Sequence, residues 1–275
     1  MRARLMIPAI CLVLAAGPLQ GCQREAPDRP GPGETTQGAA MQDREQPGER
    51  DRRGCESLPS AEDLRRYLVE APKRTEPGGL MSGRMEWAAV TDRSGVLCAV
   101  AVATEDPTSA WPGSQAIAKA KAYTANAFST DTAPMSTARL YTLSLPGHSL
   151  WGAAGGNPFN PACLAVPGDP ERGVGEVCGG TIPFGGGVPL YRGNTRVGGL
   201  GVSGDTPCAD HEVAKAIRDL AGLNPPGGRA ADDIVYPGVD GASIYGHPLC
   251  PNTYRDGKKL GDEPPAMFPP HEGAS

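Results

Sequence analysis

Apolar and polar residues repeat with helical spacing at four places along the chain. The first follows Ser60, where Leu64 and Leu68 lie one turn apart behind an acidic first turn, and it ends before Pro72. The last begins at Thr206, a capping hydroxyl followed by a proline that suits the first helical position. Helices are therefore predicted at 60–71, at 115–128 with Ser114 as its cap, at 136–145 and at 207–221. The second contains six alanines, so we expect a sheet or another backbone to pack closely against it.

Five shorter segments have the composition of strands. They lie at 86–91, 96–104, 181–184, 188–192 and 195–202. Asp92-Arg93-Ser94-Gly95 predicts a hairpin turn between the first two. The region 146–180 has no clear period and is predicted to be a long loop.

The first 22 residues have the pattern of an export signal. Arg2 and Arg4 precede an apolar run, and Leu19-Gln20-Gly21-Cys22 has the form of a lipoprotein cleavage box. We predict that residues 1–21 are removed, that Cys22 is acylated, and that the protein is held at the cell envelope, facing the periplasm or the exterior. An ordinary secretory signal with a chance cysteine is the alternative. A transmembrane anchor is disfavoured, because the run contains prolines and is shorter than the ~20 residues of a spanning helix.

Composition divides the mature chain into three parts. Residues 22–54 contain no Val, Ile, Leu, Phe, Tyr or Trp, so they bury too little apolar surface to fold and are predicted to be a flexible tether. A folded domain is expected over 55–225. Residues 226–275 form a Gly/Pro-rich C-terminal extension, with attachment expected at 234–236 and Cys250 and a mobile tail after Asp256.

Charge and cysteine content narrow the partners and the compartment. With 26 basic and 31 acidic residues, the chain is not expected to bind nucleic acid or to carry a polybasic membrane-binding surface. Of eight cysteines, Cys11 lies in the signal and Cys22 at the acylation site, and the other six favour disulfides in an exported protein. Six cysteines allow 15 connectivities, between which sequence alone does not choose. The pairs we predict are Cys163 with Cys178, Cys208 with Cys250, and Cys55 with Cys98. No C-x-x-C is present, so the spacing indicates neither a cysteine metal cluster nor a covalently attached c-type haem.

Two glycine-rich motifs come close to known reactive loops, but each lacks a required residue. Gly201-Val202-Ser203-Gly204-Asp205 has aspartate where a hydrolase nucleophile elbow has glycine. Gly185-Gly186-Gly187 is not followed by the Lys-Ser/Thr of a phosphate-binding loop. Because no set of acid, base and nucleophile is found, we assign no catalytic residue and favour a binding protein over an enzyme.

Candidate ligands for a metal or cofactor are few. The four histidines are His148, His211, His247 and His271. Any of them also fits an ordinary surface or hydrogen-bonded role. His211 is the candidate metal ligand, because a helix next to Asp210 would hold its ring firmly. Lys121 and Thr124, one turn apart, can present a charge and a hydroxyl to one cavity. Alternatively, Lys121 lies at the edge of the packed face and Thr124 bonds its own backbone.

Three blocks together resemble the GlcG/HbpS family. The first is Ala-Lys-Ala-Lys-Ala-Tyr-Thr-Ala at 118–125, followed by Phe128. The second is Gly-Gly-Gly-Val-Pro-Leu at 185–190. The third is Val-Gly-Gly-Leu-Gly-Val-Ser-Gly at 197–204, followed by Asp210 and Val213-Ala214. The resemblance covers about residues 58–223.

The resemblance implies an α+β, profilin-like domain with an antiparallel sheet flanked by helices, often assembled as a homo-oligomer. Members related to HbpS and to the C-terminal domain of PduO bind haem, through a Thr in the former and a His of an early helix in the latter. The early helix here has no His. The implied ligands are His211 or Thr124, with Lys121 or Arg139 pairing a haem propionate.

Two functions follow as hypotheses. The first is a lipid-anchored, extracytoplasmic protein that binds haem or another tetrapyrrole, for carriage, storage or redox sensing. The alternative is a cofactor-free oligomeric interaction or accessory module at the cell envelope.

Overall fold

The structure, a computed structural model, describes residues 54–166 and 169–264. The predicted signal, Cys22, residues 22–53 of the predicted tether and His271 lie outside the described residues. Within the part that is described, no helix is both long enough and apolar enough to cross a membrane.

The described residues form five helices and six strands. The helices are α1 (Ala61–Thr75), α2 (Pro112–Ala127), α3 (Ala153–Gly156), α4 (Pro207–Leu220) and α5 (Pro237–Asp240). The strands are β1 (Trp87–Asp92), β2 (Leu97–Val102), β3 (Gly187–Arg192), β4 (Thr195–Ser203), β5 (Thr253–Arg255) and β6 (Lys258–Gly261).

Four strands form one antiparallel sheet in the order β2-β1-β4-β3. In the centre of the sheet, Ala89 of β1 lies opposite Gly201 of β4. Successive residues of β1 point to opposite faces. Ala88 and Val90 pack with α1 and α4, whereas Trp87 and Ala89 pack with α2. The expected α+β fold, an antiparallel sheet flanked by helices, is therefore confirmed.

Glycines of β4 bring α2 into close contact with the sheet. A Cβ at Gly201 would lie 2.0 Å from the carbonyl oxygen of Ala118 and 2.4 Å from the amide nitrogen of Ala122. A Cβ at Gly199 would lie 2.2 Å from the carbonyl oxygen of Ala122. These contacts leave room for hydrogen only, and the close packing expected of the alanine-rich helix is confirmed.

The start of α2 differs from the prediction. The helix begins at Pro112 rather than at 115, and Trp111 precedes it without a side-chain cap. Proline suits this first position because its missing N–H would have no partner there. Ser114 is buried inside the helix and does not cap it.

The predicted helix at 136–145 is wrong. The chain forms two short three-ten turns instead, Thr137–Leu140 and Thr142–Ser144. The Ser136 hydroxyl donates to the carbonyl oxygen of Asp232, and the Thr137 hydroxyl donates to that of Phe184. These contacts with distant segments hold the turns in place of a continuous helix.

The predicted strand at 181–184 is also wrong, because this segment does not join the sheet. The Ile182 amide donates to the Thr124 hydroxyl at 3.0 Å rather than to a neighbouring strand. Pro183 has no N–H with which to continue a ladder.

Three disulfides connect the six cysteines of the folded part. They join Cys55 with Cys98, Cys163 with Cys178, and Cys208 with Cys250, so the predicted pairing is confirmed. The second bond lies within the long loop, which also contains α3.

The C-terminal segment packs on the rest of the fold. Ile234, Tyr236 and Cys250 are buried in one cluster with Cys208 at the start of α4. β5 and β6 form a hairpin, and Thr253 of β5 bridges to Gly78. The prediction of a mobile tail after Asp256 is therefore wrong as far as residue 264, because hairpin pairing orders this part of the chain.

Candidate functional site

Residues 185–187, here called the glycine strap, pass between α2 and α4 over several of the predicted site residues. A Cβ at Gly186 would lie 2.6 Å from Lys121 Nζ, and a Cβ at Gly185 would lie 3.3 Å from His211 Cβ. The glycines therefore let the backbone approach these two side chains closely.

Lys121 is paired inside the protein. Its Nζ donates to Asp210 Oδ2 at 2.6 Å and to the Val202 carbonyl oxygen at 2.9 Å, and both side chains of the pair are enclosed. Burial raises the pKa of Asp210 to about 6, against the opposing effect of Lys121. The Lys121 charge is thus neutralised by α4, and the side chain does not lie at the edge of the packed face.

Thr124 lies one turn further along α2. Its hydroxyl donates to the Ala120 carbonyl oxygen at 2.7 Å and accepts from the Ile182 amide. The backbone-bonded alternative is therefore the arrangement observed.

Glu86 is a buried acid next to the Lys121–Asp210 pair. Both of its carboxylate oxygens lack a hydrogen-bond partner among the described residues. Burial raises the pKa of Glu86 well above its ordinary value, and the nearby Asp210 and Asp205 raise it further, with Lys121 opposing them. At a pH between the two pKa values, the native state therefore favours the protonated form of Glu86, whereas the unfolded chain favours the carboxylate.

This retained proton predicts how stability depends on pH. Because the native state binds more protons than the unfolded state above the ordinary glutamate pKa, the free energy of unfolding falls as pH rises through the raised pKa. The loss is about 1.4 kcal/mol for each unit of pKa difference. Glu86→Gln cannot ionise, so we expect its stability relative to wild type to increase as pH rises above the ordinary glutamate pKa.

Thermal or urea unfolding at several pH values measures this difference. Glu70→Gln is the control, because Glu70 is solvent-exposed and hydrogen-bonded to Arg74, which lowers its pKa. A Glu86→Gln variant that tracks wild type at every pH would contradict the prediction.

His211 belongs to a buried network on α4. Its Nε2 lies 3.2 Å from Asp233 Oδ1, and Lys215 Nζ lies 2.9 Å from both Asp233 oxygens. Burial raises the pKa of Asp233, but hydrogen bonds from His211 and Lys215 outweigh it and hold the pKa below its usual range. His211 Nδ1 is buried and has no partner among the described residues.

Arg139 reaches the same segment. Its Nε donates to the Asp233 carbonyl oxygen at 3.1 Å, and its guanidinium lies 5.8 Å from the centroid of the Tyr245 ring. The structure thus places His211 with Arg139 at Asp233, and Lys121 with Thr124 on α2 beneath the glycine strap.

His247 contacts the glycine strap from the C-terminal segment, and sequence reasoning did not select it. Its Nδ1 lies 2.7 Å from the Pro248 carbonyl oxygen, and its Nε2 accepts from the Gly185 amide at 3.4 Å. Burial lowers the pKa of His247 to about 4, so the ring is neutral at pH 7. The ring also lines a cavity of about 380 Å³ together with Tyr141 and Tyr236. The nearby Cys250, a predicted disulfide partner of α4, is the sequence signal that points to this segment.

A larger cleft of about 600 Å³ lies beside α1. Apolar residues from α1 and neighbouring segments form part of its wall: Leu68, Val69, Pro72, Pro77 and Ala103. Two exposed cations, Lys73 and Arg84, and one carboxylate, Glu76, also line it. Tyr254 of β5 completes the wall, and its ring packs against Gly78. The volume of the cleft is in the range of small-molecule binding sites.

Comparison with known proteins gives a family match across the central part of the chain. The family model described as "Haem degrading protein HbpS-like" matches residues 82–219, which is half of the chain. No curated protein gives a significant match.

Three solved structures are similar to this chain. The PduOC complex with haem is 21% identical over 60% of this chain and 93% of its own, with a TM-score of 0.42. Protein ORFY from Klebsiella pneumoniae is 20% identical over 59% and 87%, with a TM-score of 0.41. HbpS is 22% identical over 58% and 85%, with a TM-score of 0.38.

Proposed function

We propose, from the premise that this chain belongs to the HbpS-like family, that it binds haem. The observation that carries the proposal is the 600 Å³ cleft beside α1, which combines an apolar wall, two cations and a phenol. Haem needs this combination, because it is a flat, mostly apolar molecule with two carboxylates and an iron that takes axial ligands.

Each part of the cleft fits one part of the haem molecule. Leu68, Val69 and Pro72 would cover the ring, while Lys73 and Arg84 would pair with the carboxylates at the solvent edge. Tyr254 supplies the oxygen that would ligate iron, a role that tyrosine fills in some haem proteins. Bound haem would supply an iron centre for redox or ligand-binding chemistry.

The sequence-predicted ligand set provides a second location. His211 has a buried Nδ1 without a partner, and Asp233 braces its other nitrogen, as is usual for a metal-bound histidine. We favour the cleft because it is lined by both apolar and cationic residues, whereas Lys121 and Thr124 are already engaged by protein groups.

Haemin titration of the purified chain tests the proposal. We expect a saturable shift of the Soret band in wild type. Tyr254→Phe should alter the spectrum and weaken binding at least tenfold, which corresponds to about 1.4 kcal/mol. Tyr245→Phe, outside the cleft, is the matched control and should behave as wild type.

Other outcomes of the haemin titration decide between the cleft beside α1 and His211 as the haem site. If His211→Ala abolishes the shift and Tyr254→Phe does not, the ligand lies at His211 and the assignment to the cleft is wrong. If wild type gives no Soret shift, haem binding is wrong, and the cofactor-free oligomeric module at the cell envelope becomes the better hypothesis.

We also propose that the protein works outside the cytoplasm on a lipid anchor at Cys22, in haem carriage, storage or redox sensing. Three disulfides support an oxidising compartment. The intact mass of the membrane-bound protein tests this placement, since a mature chain that begins at an acylated Cys22 is expected.

A further inference from the structure

Two cysteines and a histidine meet where α4 begins. Cys208 is the second residue of α4, and Cys250 and His247 lie on the C-terminal segment. Their ligand atoms, two Sγ and one ring nitrogen, all lie within 4.8 Å of one another, and all three residues are buried. The spacing along the chain gives no sign of this cluster, because α4 and the C-terminal segment are about forty residues apart in sequence.

In the structure the two sulfur atoms are joined in the Cys208–Cys250 disulfide, so thiolates form only after this bond is reduced. The Cys208 amide donates to Cys250 Sγ at 3.2 Å. Both sulfurs lie at the N-terminus of a 14-residue helix, where the aligned peptide dipoles stabilise negative charge. After reduction, this environment would favour the deprotonated form that binds metals.

The histidine is held in the orientation of a metal ligand. Because Nδ1 donates to the Pro248 carbonyl oxygen, the proton resides there, and the Nε2 electron pair accepts a long 3.4 Å hydrogen bond from the Gly185 amide, which a metal ion would replace. The ring also lines the 380 Å³ cavity.

We propose that Cys208, Cys250 and His247 form a redox-controlled zinc site. A dithiol reductant gives two electrons and two protons to the Cys208–Cys250 bond, which breaks to form two thiols while the reductant becomes a disulfide. Zn²⁺ then binds both sulfurs and His247 Nε2, and the two thiol protons leave to solvent. Three protein ligands leave a fourth zinc position for water or a ligand from the cavity, as in catalytic zinc sites.

The geometry needs only small movements. In a tetrahedral zinc site with Zn–S bonds of about 2.3 Å, two thiolates lie roughly 3.8 Å apart. Once the Cys208–Cys250 bond is broken, side-chain rotations would have to move the two sulfurs apart to this separation, within the 4.8 Å that the three ligand atoms span now. Imidazole and thiolate together suit zinc better than magnesium or calcium.

Cobalt substitution tests the site in the full mature chain. The protein is reduced with dithiothreitol, freed of reductant under nitrogen, and titrated with Co²⁺. We expect one Co²⁺ per chain with thiolate-to-cobalt absorption, its displacement by Zn²⁺, and no such absorption in the oxidised protein. His247→Ala should weaken Co²⁺ binding at least tenfold, whereas His148→Ala, on an exposed loop, should not change it.

Further controls exclude the other cysteines and loss of structure. Replacing both Cys208 and Cys250 by Ser should abolish the absorption, and replacing both Cys55 and Cys98 by Ser should preserve it. The proposal is overturned if the band survives the first replacement or if His247→Ala binds Co²⁺ like wild type. It is also overturned if the reduced chain binds no Co²⁺, whether circular dichroism shows it folded or unfolded. None of these outcomes depends on haem binding.

Discussion

Asp232→Ala is expected to lower the free energy of unfolding by about 3–5 kcal/mol, because it leaves a buried guanidinium without its counter-ion. Arg218 on α4 makes two parallel hydrogen bonds to Asp232, at 2.7 and 2.9 Å, and both side chains are enclosed. The same guanidinium donates to the carbonyl oxygens of Pro189 and Arg229. One pair therefore connects α4, β3 and the C-terminal segment.

Urea unfolding monitored by circular dichroism measures this loss. Asp63→Ala is the control, because the hydrogen bonds of Asp63 with Arg66 and Ser60 are exposed, and solvent screening makes such a surface ion pair weak. Replacing Arg218 by Met together with Asp232 by Leu should recover much of the loss, since no unpaired charge remains. Equal effects of the two single alanine variants would show that the buried charge is relieved in some other way.

Gly201→Ala is expected to destabilise the protein by more than about 3 kcal/mol, at or beyond the upper end of ordinary overpacking. The added methyl would lie 2.0 Å from the Ala118 carbonyl oxygen and 2.4 Å from the Ala122 amide nitrogen. Both atoms are backbone, so no side-chain rotation relieves the clash. α2 and β4 would have to separate along their contact.

Gly113→Ala provides the matched control for this substitution. Gly113 lies in the first turn of α2, and a Cβ there meets nothing within 4 Å. Alanine also has a better helix propensity than glycine, so this variant should be neutral or slightly more stable than wild type. Thermal unfolding of the two variants side by side checks the pair, and similar melting temperatures would disprove the packing argument.

Local chemistry in the sequence was sufficient to predict all four strands of the main sheet and its three long helices, although α1 continues through Pro72 to Thr75 and α2 begins at Pro112. The Thr206 hydroxyl accepts from the Ala209 amide, as the capping pattern at α4 predicts. The hairpin between β1 and β2 forms where Asp92 and Gly95 indicate a turn, and the Asp92 carbonyl oxygen accepts from the Gly95 amide. In each case the signal lies within a few residues of the structure that it specifies.

Errors occurred where distant contacts decide the conformation. Residues 136–145 have helical spacing, yet Ser136 is bound to a segment 96 residues away and Thr137 to one 47 residues away, and the helix does not form. Residues 181–184 have the composition of a strand, but Ile182 is bound by Thr124 of α2. Local pattern contains no information about such partners.

The candidate site residues divide in the same way, into those that local sequence signals select and those that contacts between distant segments place. His211, Lys121 and Thr124 could be selected because they lie on helices that the sequence predicts. Tyr254 and His247 could not, because their segment was interpreted as an extension with an unordered end. Their importance depends on which part of the fold the segment packs against, and only the structure places Tyr254 beside α1.

The pairing of Gly78 with Thr253 joins one of the earliest parts of the folded chain to one of the last. The cleft beside α1 is therefore not complete until the ribosome has delivered the residues of β5. Tyr254, His247 and Cys250 also lie outside residues 82–219, the portion shared with the family. A change of these residues would therefore alter the proposed binding site without replacing any residue of the main sheet.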